Sequence, residues 1–296
     1  MTEPDILYHY CSADSFVSIV RNRSVRLSSL SLSNDSMEGR LLKKTVLRLA
    51  NRDNLTEAAK IRLNECLDFN ERSYDALGFC LSTQGDLLSQ WRGYANDACG
   101  FSIGFGVPYL KGLVRFVKFS EPHFALHKVR YRTNEHEAEI GEIYTELRKL
   151  IEAGAFDQLG QTGLLDSRTQ REIASDDLAI KQANEKLMQK LGELAPKQFT
   201  LKANAFSEEK ESRLVSVIEG NSFFGCEFRA NSNRVIPFRT LQLNEMTLQN
   251  SKRVLKPIRE VLIGPKNKTP PNVVQAILKQ AGFLDVRVRE SRATYR

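Results

Sequence analysis

Short apolar runs and helical apolar spacings alternate irregularly along the chain. Runs of the length and composition typical of strands occur at 6–10, 25–28, 78–82, 101–105, 113–117, 128–131, 212–218, 225–229, 234–238, 260–263 and 286–289. Helical spacings occur at 13–21, 41–50, 55–69, 87–94 and 272–280. Because neighbouring strands follow one another without regular helical crossovers, the pattern predicts an α+β fold. The sheet is expected to be mixed or antiparallel, with flanking helices, and not a doubly wound parallel sheet.

Residues 134–196 have a different pattern. They are rich in Glu, Gln, Ala, Leu and Lys, and their apolar residues (Ile140, Tyr144 and Leu147 among them) recur at helical spacing. Glycines at 160 and 163 divide the segment into two helical pieces. We therefore predict a helical insertion at 134–196 within a single α+β domain formed by 1–133 and 197–296.

Composition excludes several protein classes. The chain has 296 residues, 41% of them apolar and 27% charged, which is ordinary globular usage and argues against disorder or a coiled coil. Its acidic start is unlike a signal peptide, and its apolar runs are too short to span a bilayer. Five scattered cysteines predict reduced thiols. These features predict a cytoplasmic protein that does not enter the membrane.

Charge is unevenly distributed. The net charge is +7, but residues 134–196 carry 13 acidic and 7 basic residues, whereas residues 251–296 carry 11 basic and 3 acidic residues. A basic segment attracts phosphates, so 251–296 is a candidate surface for nucleic acid. The acidic helical segment is either a solvated face or a surface for a protein partner.

Metal and nucleotide motifs are absent from the sequence. It has no Walker or Rossmann glycine motif and no CxxC or HExxH pair. His123 and His127 are four residues apart, but the strand-like run at 128–131 favours a strand or loop over a metal-binding helix face. We predict no metal site.

Two polar segments near the N-terminus are candidates for ligand contacts. His9 lies in a strand between Tyr8 and Tyr10, and Ser12 is placed to cap the following helix. His9 is either a satisfied structural histidine or a neutral imidazole that binds a ligand hydroxyl. Asn34 lies in a turn-rich segment before a helix, where it either makes turn and capping bonds or contacts a ligand.

Two later segments add aromatic and charged candidates. Trp91 and Tyr94 share a helical face, as core residues or as a platform for a planar ring, and Arg92 lies between them as a candidate for phosphate binding. Glu211 and Arg213 fall with Glu209 on one face of a strand. They form either an internal ion pair or a carboxylate site at the mouth of a cleft.

Several segments together resemble a bacterial family of unknown function, the one numbered twenty-nine seventy-one. They are Leu7-Tyr8-His9-Tyr10, Asn34-Asp35 with Glu38, Phe79-Cys80-Leu81-Ser82, Trp91-x-x-Tyr94-Ala95, Gly100-Phe101-Ser102-Ile103-Gly104-Phe105, Val129-x-Tyr131, Glu209-x-Glu211-x-Arg213-Leu214, Val261-Leu262-Ile263-Gly264 and Ser291-x-x-x-Tyr295-Arg296. The resemblance spans nearly the whole chain but implies no activity.

The order of His9, an aromatic residue and Glu209-x-Glu211 is similar to the order of functional residues in ADP-ribosyltransferases. That resemblance implies NAD as a substrate. It implies that His9 holds the ribose hydroxyls, that Trp91 or Tyr94 holds the nicotinamide, and that Glu209 or Glu211 stabilises the oxocarbenium-like state. Tyr10, Ser12 and Asn34 are further candidates for binding the substrate.

The same resemblance implies that Arg92 or Arg213 meets the pyrophosphate. We also expect the C-terminal residues Tyr295 and Arg296 to return to this cleft. Three functions follow as hypotheses: an NAD-using enzyme with a small nucleotide ligand, a toxin or defence effector directed at nucleic acid, and a non-enzymatic ligand sensor or interaction module.

Overall fold

A computed structural model of the chain describes residues 4–32, 39–116, 124–160, 168–219, 223–230, 233–247 and 254–295. The strands are β1 (Ile6–Cys11), β2 (Ser24–Ser29), β3 (Tyr74–Ser82), β4 (Phe101–Gly106), β5 (Ala125–Lys128), β6 (Glu211–Glu219), β7 (Glu227–Ala230), β8 (Val235–Gln242), β9 (Met246–Thr247), β10 (Val254–Leu255), β11 (Ile258–Ile263) and β12 (Arg287–Glu290). The helices are α1 (Ala13–Asn22), α2 (Arg40–Arg52), α3 (Glu57–Ser73), α4 (Leu88–Tyr94), α5 (Val107–Phe116), α6 (Thr133–Glu152), α7 (Gln170–Gly192), α8 (Ala195–Gln198) and α9 (Pro271–Gln280), with a 3₁₀ helix at Asn204–Glu209.

Within the described residues, ten strands form one mixed sheet. Its main path runs β12-β11-β4-β1-β3-β2-β8-β7, while β6 pairs with both β3 and β5. The pair β11–β12 is parallel, and the other strand pairs of this sheet are antiparallel. Helices flank the sheet. The predicted α+β fold with a mixed sheet is confirmed.

One face of the sheet packs against α1, α5 and α9. Strand residues such as Leu7 and Ile103 meet Phe16 of α1, Tyr109 of α5 and Val274 of α9 in one apolar core. Phe16 stacks on Phe101 with ring centroids 4.2 Å apart. The apolar spacing of α1 follows from this packing, because only one stripe of the helix reaches the sheet.

The other side carries a separate helical core. Buried side chains from α2 and α3 (Leu42, Val46, Leu63, Leu67) pack with those from α6 and α7 (Tyr144, Leu147, Leu187, Leu191). Residues 134–196 therefore share their core with residues 40–73 and are not a free-standing pair of helices. The division of the chain into one domain with an insertion at 134–196 stays a prediction.

Two predicted strands differ from the structure. The run 113–117 was expected to be a strand, but residues up to Phe116 belong to α5, and residue 117 lies outside the described residues. Leu110, Leu113 and Val114 all pack on the core, and their spacing fits a helix that covers the sheet better than it fits a strand. The predicted strand at 128–131 is displaced, since β5 ends at Lys128.

The sheet opens along one edge of β3. All nine residues of β3 pair with β6 on the first edge. On the second edge, β2 pairs at Leu77 and Gly78, and β1 pairs only at Ser82. Between these points, neither β1 nor β2 forms a ladder with residues 79–81. β1 and β2 therefore separate, and polar side chains can reach the backbone of β3 in the gap.

Candidate functional site

A cavity of about 420 Å³ lies where β1 and β2 separate. Its walls come from β1, β2, β3, α4, the segment 202–211 and the β7–β8 hairpin. The lining residues are Tyr8, His9, Tyr10, Ser28, Ser29, Leu30, Leu32, Gly78, Cys80, Leu81, Ser82, Gln90, Tyr94, Lys202, Phe206, Glu209, Glu211, Arg213, Arg229, Arg234 and Ile236.

The floor of the cavity is a buried cluster of charges. Arg213 is 2% exposed and Glu211 6%. The guanidinium donates from Nε to Oε1 of Glu211 at 2.8 Å and from Nη2 to Oε2 at 3.0 Å, a two-point pair. Arg213 also donates to the carbonyl of Phe199 at 2.8 Å. Both oxygens of Glu211 are thus engaged, so the pair forms a fixed floor.

Lys202 joins this pair to a second carboxylate. Its ammonium lies 2.6 Å from Oε2 of Glu209 and 3.3 Å from Oε2 of Glu211. The ammonium also lies 4.7 Å from the centre of the Phe206 ring, which adds a cation–π contact. Two carboxylates can stay ionised together in the protein interior because two cations, Lys202 and Arg213, balance their charge.

The pKa of Glu211 reflects that balance. Burial by itself would raise the pKa, but the charges of Arg213 and Lys202 and the hydrogen bonds from Arg213 outweigh burial and lower it from 4.5 to about 2. Burial also acts against the charge of Lys202, yet the two glutamates together raise its pKa. Glu211 is therefore an anion throughout the neutral range.

Glu209 accepts fewer of the hydrogen bonds described here than Glu211 does. It ends the 3₁₀ helix, and Lys210 after it takes a left-handed conformation with φ of 44°, which turns the chain into β6. Tyr94 donates its hydroxyl to Oε1 of Glu209 at 3.0 Å, and Lys202 donates to Oε2. A carboxylate can accept about four hydrogen bonds, so Glu209 keeps acceptor capacity toward the cavity.

His9 reaches across the gap beside β3. Its Nδ1 lies 2.9 Å from the carbonyl oxygen of Cys80, and its ring packs on Phe79 with centroids 4.3 Å apart. A carbonyl only accepts, so Nδ1 carries the proton and Nε2 is left as an acceptor in the neutral ring. Burial lowers the pKa of His9, which favours this neutral form.

Cations and hydroxyls line the mouth of the cavity. Arg229 of β7 lies 3.5 Å from Ser28 Oγ, and Arg234 donates to the carbonyl of Leu32 at 2.9 Å. Arg229 is exposed and Arg234 is half-buried. With Lys202 and Arg213 against Glu209 and Glu211, the cavity has a net positive lining, which favours an anionic ligand.

Six of the predicted site residues come together in this cavity. They are His9, Tyr10, Tyr94, Glu209, Glu211 and Arg213. Of the two interpretations given for Glu211 and Arg213, the geometry fits the internal ion pair, because the guanidinium binds both carboxylate oxygens. Asn34 and Arg296 lie outside the described residues.

Three predicted ligand-binding residues lie elsewhere. Trp91 has no exposed surface; it packs edge-on against Tyr10 at 4.9 Å and donates its indole N–H to Asp86 at 2.8 Å. Trp91 is a core residue and not a platform for a ligand, because α4 packs against β1 and buries the ring there. Ser12 caps α1 by accepting from the Ser15 N–H. Arg92 points to the surface near Tyr295.

Tyr295 also lies away from the cavity. Its hydroxyl donates to Asp97 at 2.6 Å, and its ring lies 4.1 Å from the ammonium of Lys266. The expected return of the C-terminus to the cleft is therefore incorrect for this residue. Ala293 and Tyr295 pack on a small apolar cluster that includes Trp91 of α4.

Several cavity residues were not predicted from the sequence. Lys202, Arg229 and Arg234 come from segments that carry no motif, although a lysine between apolar neighbours in Thr200-Leu201-Lys202-Ala203 is a weak signal of a buried charge. The arginines belong to a hairpin whose position depends on pairing between distant strands.

The basic segment 251–296 is partly neutralised in the fold. Lys256 pairs with Asp285 at 2.6 Å, Lys266 with Asp97 at 2.8 Å, and Arg289 with Glu260 at 3.2 Å. The positive charge available to a phosphate backbone is smaller than the sequence count indicates. Nucleic-acid binding through this segment stays a prediction.

Neither a metal cluster nor a spanning helix is found in the described part of the chain. There, histidine, cysteine, aspartate and glutamate side chains nowhere form a group of three or more that could hold a metal ion. No helix in the same residues combines the length and the apolar character needed to cross a membrane.

Comparison with known proteins gives a family match. The model of the family described as a protein of unknown function (DUF2971) matches residues 90–214. No curated protein and no solved structure matches the chain. The matched stretch runs from α4 to the first residues of β6 and includes Lys202, Glu209 and Glu211. Nothing found bears out the resemblance to ADP-ribosyltransferases, whereas the match over residues 90–214 supports the sequence-based assignment to the DUF2971 family.

Proposed function

We propose that the cavity binds an NAD-like dinucleotide and transfers its glycosyl group, with Glu209 as the carboxylate that faces the reacting ribose. The observation that carries the proposal is the contrast between the two glutamates. Glu211 is saturated by Arg213 and Lys202, whereas Glu209 is oriented by one donor on each oxygen and still faces the cavity.

The chemistry requires a fixed anion next to the ribose. The bond between the ribose carbon and the nicotinamide nitrogen breaks, and the electron pair leaves with neutral nicotinamide. Positive charge develops on the ribose, and a preorganised carboxylate stabilises it in a site shielded from water. Water or an acceptor nucleophile then forms the new bond to the ribose carbon and releases a proton.

The other cavity residues fit the remaining parts of such a ligand. The free Nε2 of neutral His9 is an acceptor for a ribose hydroxyl. Arg229 and Arg234 at the mouth are suited to pyrophosphate oxygens, because a guanidinium donates two parallel hydrogen bonds. In this proposal the glycosidic bond lies toward the floor and the diphosphate lies toward solvent.

Release of nicotinamide from NAD by the purified full-length chain tests the proposal. We expect Glu209→Gln to lower the rate by about 100-fold or more, in the range found when one preorganised electrostatic group is removed. Glu208→Gln is the matched control, since Glu208 is the exposed neighbour of Glu209. It should keep the wild-type rate.

Binding of NAD is measured separately by calorimetry. Arg229→Ala should weaken binding by about tenfold, the loss of one charged hydrogen bond, and Arg259→Ala, on an exposed position of β11, should not. Absence of both NAD binding and nicotinamide release in the wild-type protein would rule the proposal out, as would an equal rate in the Glu209→Gln and Glu208→Gln variants.

A further inference from the structure

Strand β7 forms an open edge of the sheet beside the cavity. Among the described residues it pairs only with β8, and all four of its side chains are exposed. Phe228 is 57% exposed, and Val235, on the adjacent strand β8, is 60% exposed. An edge strand with exposed apolar residues is a template for pairing with another strand.

The two faces of β7 differ in chemistry. Arg229 is opposite Ile236, and both line the cavity. Alternation places Glu227 on the same face as Arg229 and places Phe228 and Ala230 on the other face. The strand therefore presents a charged face toward the cavity and an apolar face away from it.

A two-fold axis between antiparallel copies of a strand places one residue opposite itself. If that residue is Glu227 or Arg229, like charges face each other, which is unfavourable. If it is Phe228, then each Glu227 lies opposite Arg229 of the partner subunit, and the two Phe228 rings are cross-strand neighbours. Opposite charges and aromatic pairs both stabilise such a contact.

We infer that two copies of this chain pair through β7, antiparallel and centred on Phe228, to form one sheet that continues across a two-fold axis. The sequence Glu227-Phe228-Arg229 is complementary to itself in this register, as an isologous interface requires. The register also brings Glu227 of the partner subunit to Arg229 at the mouth of the cavity. The second copy thereby contributes a charged residue to the site.

The charge pattern favours a second copy over an unrelated peptide. A peptide partner would need to supply its own acid and base at the right spacing, whereas a second copy already has them. The inference does not rest on the proposed function, because the dimer forms through an edge strand and its molecular mass is measured without any ligand.

Sedimentation equilibrium of the full chain tests the inference. A short strand pair buries less than a standard interface of about 1,600 Å², so we expect a weak dimer that forms between roughly 1 and 500 μM. Glu227→Arg and Arg229→Glu each place like charges opposite each other twice, and each should weaken dimerisation by about tenfold or more. The double variant Glu227→Arg/Arg229→Glu restores both pairs and should dimerise like the wild type.

Two further variants complete the test. Phe228→Asp should leave a monomer, and Val273→Asp, at a 52% exposed position on α9, should not affect the dimer. Circular dichroism confirms that each variant is folded. A wild-type chain that stays monomeric over this range overturns the inference. So does a dimer that persists in both single variants, or a double variant that remains as weak as they are.

Discussion

The buried charges at the floor of the cavity set the pKa of Glu211. Glu211 has two cationic partners, and their attraction exceeds the cost of burying its charge. Removing one member of such a cluster leaves an uncompensated charge in the interior. The free-energy cost of that charge is larger than the net stabilisation that the intact cluster provides. The arrangement is therefore sensitive to protonation of Glu211.

We expect acid to weaken the fold through Glu211. Its pKa is about 2 in the folded state against an ordinary 4.5, so its contribution to stability is complete above its ordinary pKa. The contribution is lost as the pH falls from about 5 toward 2, and it amounts to on the order of 3 kcal/mol. In Glu211→Gln, the free energy of unfolding should vary less with pH over this range, as measured by urea denaturation.

The exposed residue Glu208 again supplies the control, since Glu208→Gln should leave the pH dependence of the wild type unchanged. The neutral amide that Glu211→Gln introduces itself lowers stability at pH 7, so the slope against pH is compared and not the absolute value. A slope in Glu211→Gln as steep as in the wild type would contradict the assignment of the acid transition to this group.

At the scale of secondary-structure elements, the carboxylate of Asp86 holds the start of the C-terminal segment 291–295, whose end is held by Asp97 through Tyr295. Asp86 accepts hydrogen bonds from the Trp91 indole at 2.8 Å, from the Ser291 hydroxyl, and from the Arg292 N–H at 2.7 Å. Burial would raise the pKa of Asp86, but these donors outweigh burial and lower it. The same side chain thus joins α4 to residues 291–295.

Replacing Asp86 should release this segment. In Asp86→Ala, three donors lose their acceptor, so we expect faster hydrogen exchange at the amides of Arg292 and Ala293 and a loss of about 1–3 kcal/mol in stability. Hydrogen exchange followed by mass spectrometry measures the effect. Glu290→Gln, which changes an exposed acid one residue before Ser291, should keep wild-type protection. Unchanged protection in Asp86→Ala would show that the other contacts of the segment are enough to hold it.

The loop after α4, close to the contacts of the C-terminal segment, contains strained backbone. Asn96, Asp97 and Ala98 all have left-handed φ angles, of 50°, 49° and 69°. This conformation costs about 1–2 kcal/mol in an L-residue such as Ala98, so the surrounding contacts must hold the turn. The Ala98 N–H donates to the Trp91 carbonyl at 2.9 Å, and Asp97 pairs with Lys266 and Tyr295.

At the scale of the whole molecule, the chain builds two apolar cores, one on the sheet and one among the helices. The sheet core and the helical core are joined at β3 and β6, where Leu30, Ala76, Phe199 and Val215 pack together. Helices α6 and α7 cover α2 and α3, whose buried leucines belong to the helical core. The helical segment 134–196 therefore completes a core that begins at residue 40.

Deleting 134–196 should prevent folding. A chain that joins residue 133 to residue 197 through a short glycine-serine linker exposes the apolar faces of α2 and α3, and exposed patches of this kind cause aggregation. We expect most of this chain to be insoluble and to show no cooperative thermal unfolding. A control with a glycine-serine linker of the same length inserted after Gly160, within an exposed turn, should fold. Cooperative unfolding of the deleted chain would show that 134–196 is dispensable for the core.

The amino-acid sequence by itself determined the class of fold and part of the site. Local periodicity places apolar residues on one face of each helix and strand, so the α+β architecture and most elements were predictable. It also puts Glu211 and Arg213 on the same face of β6, where they meet as a pair. The strand predicted at 113–117 was wrong because either period can accommodate so short an apolar run.

The tertiary structure alone decided what surrounds those residues. The cavity forms because β1 and β2 meet the same edge of β3 at different points, and such pairing joins residues about 70 positions apart, as His9 and Cys80 are. Lys202 and Arg229 reach the cavity from segments whose own sequence does not indicate which distant surface they contact. Likewise, Trp91 is a core residue only because α4 packs on β1. Local patterns carry no information on which distant surfaces meet, because that depends on burying the apolar area of the whole chain at once.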